Sequence, residues 1–436
     1  MKSKLITSII LLLTGFFSLA QITTDPELPV ASKKVTITFD SSKESKLGYY
    51  TGELYAHTGV TIEGEGRWKY VIESWGNNTT QPKLTHKGDG IYEFEISPDI
   101  HTFYNVPISE KITELCLVFR SADAGKQTND LFVDIFSEGL VVNITQPQKN
   151  AVSKINDTLQ ISANSSDEAS LRLFINDTQI AENSGTTIAS EYVFTESGNF
   201  WLIAEATADS TVRDSVSIFV RDEVTQSSRP AAYKKGINYP TDNSAALVLW
   251  APLKEYVFVL GDFNDWKPSN EFLMKKDGDY FWLDISNLEK GKEYIFQYWI
   301  DGEIKIADPY TEKIVDPRND EYITDDVYPD LIAYPEGKTE GISSVLQPGQ
   351  EEYNWHVTDF QVPDKNKIVI YELLIRDFTT EHTYQSVIDK LDYLEDLNIN
   401  VLELMPVNEF EGNSSWGYNP SFYFAPDKYY GPKNKL

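Results

Sequence analysis

Cysteine is nearly absent: Cys116 stands alone among 436 residues. An intrachain disulfide is therefore excluded, and so is any metal site built from several thiolates. Cys116 lies in the apolar run Leu115-Cys116-Leu117-Val118-Phe119, where a buried, unreactive thiol is expected. Histidine is also sparse, and its five residues, 57, 86, 101, 356 and 382, are scattered. No paired-histidine motif, no G-x-x-x-x-G-K-S/T and no G-x-G-x-x-G after a strand occurs, so no metal and no cofactor are expected. Positive charge is scarce as well. Lys and Arg number 38 against 67 Asp and Glu, a net charge of -29. Such a surface repels nucleic acid phosphates and anionic lipid, whereas a neutral partner such as a glycan meets no opposition.

Long apolar runs are missing, apart from one near the start. Lys2 and Lys4 precede the mostly apolar stretch Leu5 to Phe17, and Ser18-Leu19-Ala20 follows as a small-x-small cleavage pattern. The run falls short of the roughly 20 residues of a membrane span. It reads as a secretory leader over residues 1–20, with an exported, monomeric protein and no membrane insertion as the expectation.

What is abundant is β patterning. Hydrophobic residues make up 41% and aromatics 13%, enough for several packed cores. Lys34–Phe39 and Gly90–Ile96 alternate strictly, as half-buried strands do. Residues 21–140 read as one β-sandwich. Residues 141–225 read as an immunoglobulin-like spacer, with strands at Thr158–Ala163, Leu171–Ile175 and Phe200–Ala204 and a turn at Asn176-Asp177. Residues 226–335 form a third β unit, with strands around Leu247–Pro252, Tyr256–Gly261 and Tyr294–Ile300 and a hairpin turn at Asp301-Gly302. A loop rich in Asp, Pro and Gly covers 316–363.

Beyond that loop the period changes. Lys367–Ile375 is a near-continuous apolar run, read as a strand buried on both faces. Tyr384, Val387, Ile388, Leu391, Leu394 and Leu397 recur at helical spacing, and Asn400–Val407 is a second buried strand. Strand, helix, strand is the unit of a parallel sheet. The fold class is thus multidomain and mostly β: three sandwich or immunoglobulin-like domains, then, over 336–436, the first strand–helix–strand of an incomplete eight-stranded α/β barrel. A closed barrel takes about 250 residues, so a sequence cut early in that barrel is the expectation.

Several short motifs carry a family resemblance. Gly261-Asp262-Phe263-Asn264-Asp265-Trp266 and Ala307-Asp308-Pro309-Tyr310 resemble the signatures of carbohydrate-binding module family 48. Ile370–Phe378 resembles the first barrel strand of the α-amylase family (glycoside hydrolase family 13), with Leu374 where a His is common. Leu402–Val407 resembles the second strand, and Trp416-Gly417-Tyr418-Asn419-Pro420 resembles the W-G-Y-x-P that follows. The first β unit is similar in general style to starch-binding modules.

The resemblance implies α-glucan as the partner. Sugars are bound by aromatic faces flanked by polar side chains. Trp68 and Trp75 lie beside polar, Gly- and Asn-rich segments and are candidate platforms, with Tyr55 a further aromatic that could face either way. Among Trp266, Trp282 and Trp299, a small sandwich buries most such rings, but Trp266 lies in a polar turn and is the candidate there. In the family, the Tyr of W-G-Y-x-P stacks under the sugar beside the scissile bond, which selects Tyr418, with Trp416 and Asn419 flanking it. Retaining hydrolysis needs two carboxyls about 5–5.5 Å apart. Glu372 and Glu403 are poor candidates, because apolar residues continue the strand beyond each and barrel sites form at strand ends. Asp377, Glu409 and Glu411 are expected as solvated surface. The family carries its catalytic carboxylates on later strands, so no catalytic residue is assigned within this chain.

The resulting expectation is a secreted α-glucan hydrolase of the α-amylase family, of which this chain supplies glycan-binding domains and is itself inactive. A complete, non-catalytic glycan-binding protein is the alternative, and purely structural β spacers are a third reading.

Overall fold

The computed structural model describes residues 21–47, 50–123, 125–147, 151–351 and 353–436. The leader-like stretch from Lys2 to Ala20 lies outside the described residues. Mostly β structure divides between two compact units. One ends at Lys149 and also holds Leu159–Tyr192 and Trp201–Val216; the other holds Asn150–Thr158, Val193–Phe200 and Ser217–Leu436.

In the first unit, two four-stranded antiparallel sheets face each other. One runs in the order Ile22–Asp25, Val35–Asp40, Ile91–Ile96, Thr85–Gly88. Its alternation is what the sequence predicts: Val35, Ile37 and Phe39 are buried while Thr36, Thr38 and Asp40 are half-buried. They sit opposite Ile96, Phe94 and Tyr92 in the ladder. The other sheet runs Gly66–Lys69, Leu54–Ile62, Ile112–Ser121, Leu131–Asp134. It contributes Leu54, Ala56, Val60, Leu115, Leu117 and Phe119 to the shared core. Phe119 packs against Phe39 with ring centroids 4.9 Å apart. Cys116 is fully buried. Further along, Thr158–Ile175 is one long strand rather than two separate ones. It pairs antiparallel with Gly198–Thr207, and the turn at its end, with Asn176 at a left-handed φ of 51°, leads into Thr178–Val193.

In the second unit, a sandwich sets the sheet Gly236–Thr241, Ser244–Trp250, Tyr280–Ile285, Lys275–Asp277 against the sheet Val257–Gly261, Tyr294–Ile300, Ser343–Leu346, Ile314–Val315. Ser343–Leu346 falls in the stretch read as loop. Two serines and four residues give no recognisable alternation, yet all four are buried. Tyr294–Ile300 is buried throughout, because apolar groups cover both its faces. Phe296 and Tyr298 turn to one cluster, and Ile295 and Trp299 turn to another with Phe219 and Phe258. Asp301 and Gly302 take φ of 51° and 75°, the two left-handed residues of the expected hairpin turn.

Ile370–Leu373 and Val401–Leu404 pair in parallel, with Glu372 opposite Glu403. The readings of both as buried strands are corrected: Val401 and Leu402 are half-buried, and Glu403 and Leu404 are exposed. In the first strand Ile370 is 56% exposed and only Leu373 is buried, since this two-stranded sheet packs on one side. The single helical period between them resolves into Tyr384–Ile388 and Leu391–Asp396, separated at Lys390, whose ψ of 6° breaks the helical path.

Glu409 also departs from expectation, being 5% exposed rather than solvated. It lies 2.6 Å from Lys428 Nζ, which also approaches Asp320 at 3.3 Å. Asp427 is 2% exposed and accepts from the Tyr429 and Phe410 amides. One buried ammonium thus pairs with two carboxyls and also lies within the field of the Asp427 carboxylate. Burial, then the charge of Glu409, pushes the Asp427 carboxyl up to about 7, and burial raises Glu409 and Asp320 too.

Two predictions follow from this packing. Phe119→Ala removes a ring from a dry core and lowers unfolding stability by about 3–5 kcal/mol, read by urea titration; a loss below about 1 kcal/mol contradicts the packing described. For Asp427, the folded state holds a proton that the unfolded chain releases near the ordinary carboxylate range. Stability therefore falls as pH rises from about 4 through about 7. Asp427→Asn should flatten that slope in melting curves taken across this window, and an unchanged slope refutes the assignment.

Candidate functional site

The strand Leu54–Ile62 is two-faced. Its even-numbered residues enter the core, and its odd-numbered ones point out of the sheet. Tyr55 and His57 therefore share the outer face, with Arg120 and Val118 opposite them on Ile112–Ser121. On the other side, Ala56 N donates to Pro82 O and Leu84 N donates to Leu54 O, which brings Gln81 and Lys83 alongside.

Both platform candidates of the first unit converge on His57. Trp68 stacks on the imidazole with centroids 5.5 Å apart and planes 27° apart. Trp75 meets it edge-on at 4.6 Å and 73°. Trp75 is 54% exposed and Trp68 is half-buried. Gln81 Nε2 donates to His57 Nδ1 at 3.1 Å and also to Ser74 O, so the neutral ring carries its proton on Nε2. Burial first, and the neighbouring Arg120 charge second, lower the His57 pKa.

Beneath Trp75 lies Arg120, its Cζ 5.1 Å from the indole centroid. The residue is 3% exposed, yet its Nε and Nη1 have no hydrogen-bond partner, and neither do Gln81 Oε1 and Asn78 Oδ1. The loop bearing Trp75 is closed by Glu73, which accepts from Thr80 Oγ1 at 2.6 Å and from the Ser74 amide at 2.9 Å. These bonds, the Thr80 hydroxyl foremost, hold its carboxyl down to about 2. The outcome is a pair of indoles around an imidazole, with hydrogen-bonding groups between and below them. His57, Gln81 and Arg120 escaped the sequence reading. The outward alternation of Tyr55 and His57 was the available signal.

Trp266 is corrected as a platform. It is 6% exposed, packs with Phe258, Leu260 and Trp299, and donates from Nε1 to Asp262 Oδ1. Asp262 Oδ2 in turn accepts from the Ile295 amide, while Asn264 bridges Gly261 N and Val259 O. The polar residues of this turn tie it to its own sheet, and that draws the indole inward. Trp282 and Trp299 are buried too.

Trp416 and Tyr418 are 64% and 66% exposed. Their turn docks at the carboxyl end of the second parallel strand through Gly417, whose φ is +84° and where a Cβ would lie 2.2 Å from Pro406 O. Only glycine fits that approach. Ser415 Oγ bonds Asn419 Oδ1 and accepts from the Gly417 amide. Arg376, at the end of the first parallel strand, contacts Ser415 O and pairs with Asp377. Tyr418, Trp416, Asn419 and Arg376 therefore gather where the two strands end. Among the described residues, no group of three or more His, Cys, Asp or Glu could hold a metal, and no helix is long and apolar enough to cross a membrane.

No protein-family model matches the chain. It is 28% identical over 186 residues to a malto-oligosyltrehalose trehalohydrolase of Saccharolobus solfataricus, a match covering 42% of this chain and 27% of that protein. A trehalohydrolase of the same description from Mycobacterium tuberculosis is 51% identical over 68 residues, 16% of this chain and 12% of that one. A 1,4-alpha-glucan branching enzyme of Fusobacterium nucleatum is 26% identical over 212 residues, 46% and 31% respectively. The chain spans less than a third of the length of each of these relatives. The motifs at Gly261–Trp266 and Trp416–Pro420 and these partial matches point the same way: over part of its length the chain is similar to enzymes named for malto-oligosyltrehalose and 1,4-alpha-glucan.

Proposed function

We propose that this chain is the glycan-binding portion of an exported α-glucan hydrolase, and that Trp68, His57 and Trp75 form its principal sugar platform. The arrangement of the two indoles about the imidazole is the observation that carries this reading. An exposed indole beside a half-buried one offers apolar surface to the CH face of a pyranose. The relatives are named for malto-oligosyltrehalose and 1,4-alpha-glucan, which supplies the ligand class.

Tyr418, flanked by Trp416 and Asn419, is the proposed contact to sugar near the scissile bond. Export rests on the leader pattern of residues 1–20, and the protein acts as a monomer. The bond-breaking step is retaining hydrolysis of an O-glycosyl bond by a carboxyl pair, which residues 21–436 do not supply. Glu372 and Glu403 are neighbours within one small sheet and lie short of the strand ends where Tyr418 gathers.

The test is binding of maltoheptaose and retardation on starch gels by purified residues 21–436. Trp75→Ala should weaken binding about tenfold or more, roughly 1.4 kcal/mol, and Trp68→Ala should act in the same direction, both with unchanged circular dichroism. Full retention of binding by both variants refutes the platform. Release of reducing sugar from starch by the same preparation refutes the assignment of this chain to binding alone.

A further inference from the structure

The outer face that carries the platform does not end at Trp75. Two residues along the same strand from His57 is Tyr55, about 7 Å away at a rise of about 3.3 Å per residue. Tyr55 lies between Arg120 on one neighbouring strand and Lys83 on the other. Its hydroxyl donates to Glu53 Oε2 at 3.2 Å. Glu53, two residues further on, pairs with Lys83 at 2.5 Å. Here a cleft of about 440 Å³ opens, lined by Thr51, Glu53, Lys83, Leu84, His86 and Tyr92.

The cleft is firm and its chemistry is mixed. Tyr92 is buried and donates from its hydroxyl to Tyr50 O and Gly52 O, at 2.8 and 2.9 Å, which fixes one rim. His86 packs on the Tyr92 ring, centroids 4.7 Å apart, and remains exposed to solvent. Leu84 is 4% exposed and forms part of the floor. Around that floor stand a carboxylate, an ammonium, an imidazole and the hydroxyls of Thr51 and Thr85. Donors and acceptors of both kinds around a small apolar base suit neutral polyhydroxylated rings. A paired Glu53–Lys83 leaves no net charge to select an ion.

We propose that this cleft is a second sugar subsite, continuous across Tyr55 with the Trp68–Trp75 platform, and that the ligand is an α-glucan chain of several units lying along the strand. The proposal rests on the platform reading above and extends it. It assigns the chain's preference to length: a short oligosaccharide fills the platform alone, while a longer one also engages Glu53, Lys83 and His86. Linking two subsites through one ligand makes the second contact intramolecular, which raises affinity without altering the first.

Calorimetry of residues 21–436 with maltotriose and with maltoheptaose separates the two ideas. Wild type should bind maltoheptaose about tenfold or more tightly than maltotriose. Lys83→Ala and His86→Ala, both at exposed positions, should remove most of that advantage and leave maltotriose binding unchanged. Equal affinity of wild type for the two sugars overturns the second subsite, and so does an equal effect of the variants on both. Because the first comparison needs no variant, misfolding cannot mask it. Failure of wild type to bind either sugar sinks the platform reading itself, a different result from loss of length dependence alone.

Discussion

The first unit depends on a strand that is asked to do opposite things on its two sides. Inward, Leu54, Ala56, Val60 and Ile62 close a core with Phe39, Phe94 and Phe119. Outward, Tyr55 and His57 stand where a surface strand would ordinarily carry short polar residues. Period-two geometry couples the faces rigidly, since a one-residue slip would exchange them. The buried side therefore fixes where the imidazole stands, and the imidazole fixes where the indole of Trp68 on the neighbouring strand and that of Trp75 in the loop after it can rest. A ligand held on such a face would be positioned with precision, because the scaffold beneath it has no freedom to shift.

How legible this was depends on what local chemistry each residue could reveal. Val35–Asp40 and Ile91–Ile96 announce themselves because one face is apolar and the other is not. Trp68 and Trp75 were visible through their Gly- and Asn-rich surroundings, which suit loops. Trp266 had the same kind of surroundings and went the other way. Its Asp262 and Asn264 spend their hydrogen bonds on the sheet behind them, a long-range fact that a six-residue window does not contain. Arg120 was hidden for the converse reason. It sits in an apolar strand, and only its cross-strand pairing with Tyr55 brings it beneath Trp75.

The second unit teaches a related lesson about spacing. Ile370–Leu373 and Val401–Leu404 were readable as parallel partners from their apolar runs, and they pair. Their burial was not readable, because a run of Val, Ile and Leu reports what a strand could pack against. It does not report how many layers are present. Glu409 shows the same limit for charge. A Glu in a Gly- and Asn-rich stretch looks solvated until Lys428, 19 residues away, closes on it at 2.6 Å. Burying that ammonium is costly, and its partners Glu409 and Asp320 with the nearby Asp427 carry more negative charge than it can balance. Burial and the charge of Glu409 raise the Asp427 carboxyl, which favours its protonated form.

Arg120 brings these threads together. A buried guanidinium ordinarily finds a carboxylate or several carbonyls, and leaving donors unmade costs about 1–3 kcal/mol or more for a charged group. The more exposed arginines of the first unit are paired: Arg67 is bidentate to Glu114, and Arg213 meets the buried Glu205 at 2.7 Å; Arg172 also pairs with Glu205 but leaves its Nε unmet. At Arg120 the rule is broken, and the unmet atoms of Gln81 and Asn78 occur on the same face. Local rules fail where a fold has been shaped for something other than its own stability. The failure here coincides with the two indoles, the imidazole and the approach to the Glu53–Lys83 cleft. Unmet polar atoms occur elsewhere in the first unit, at Glu110 and Arg172, but here they fall together with two indoles and an imidazole on one sheet face.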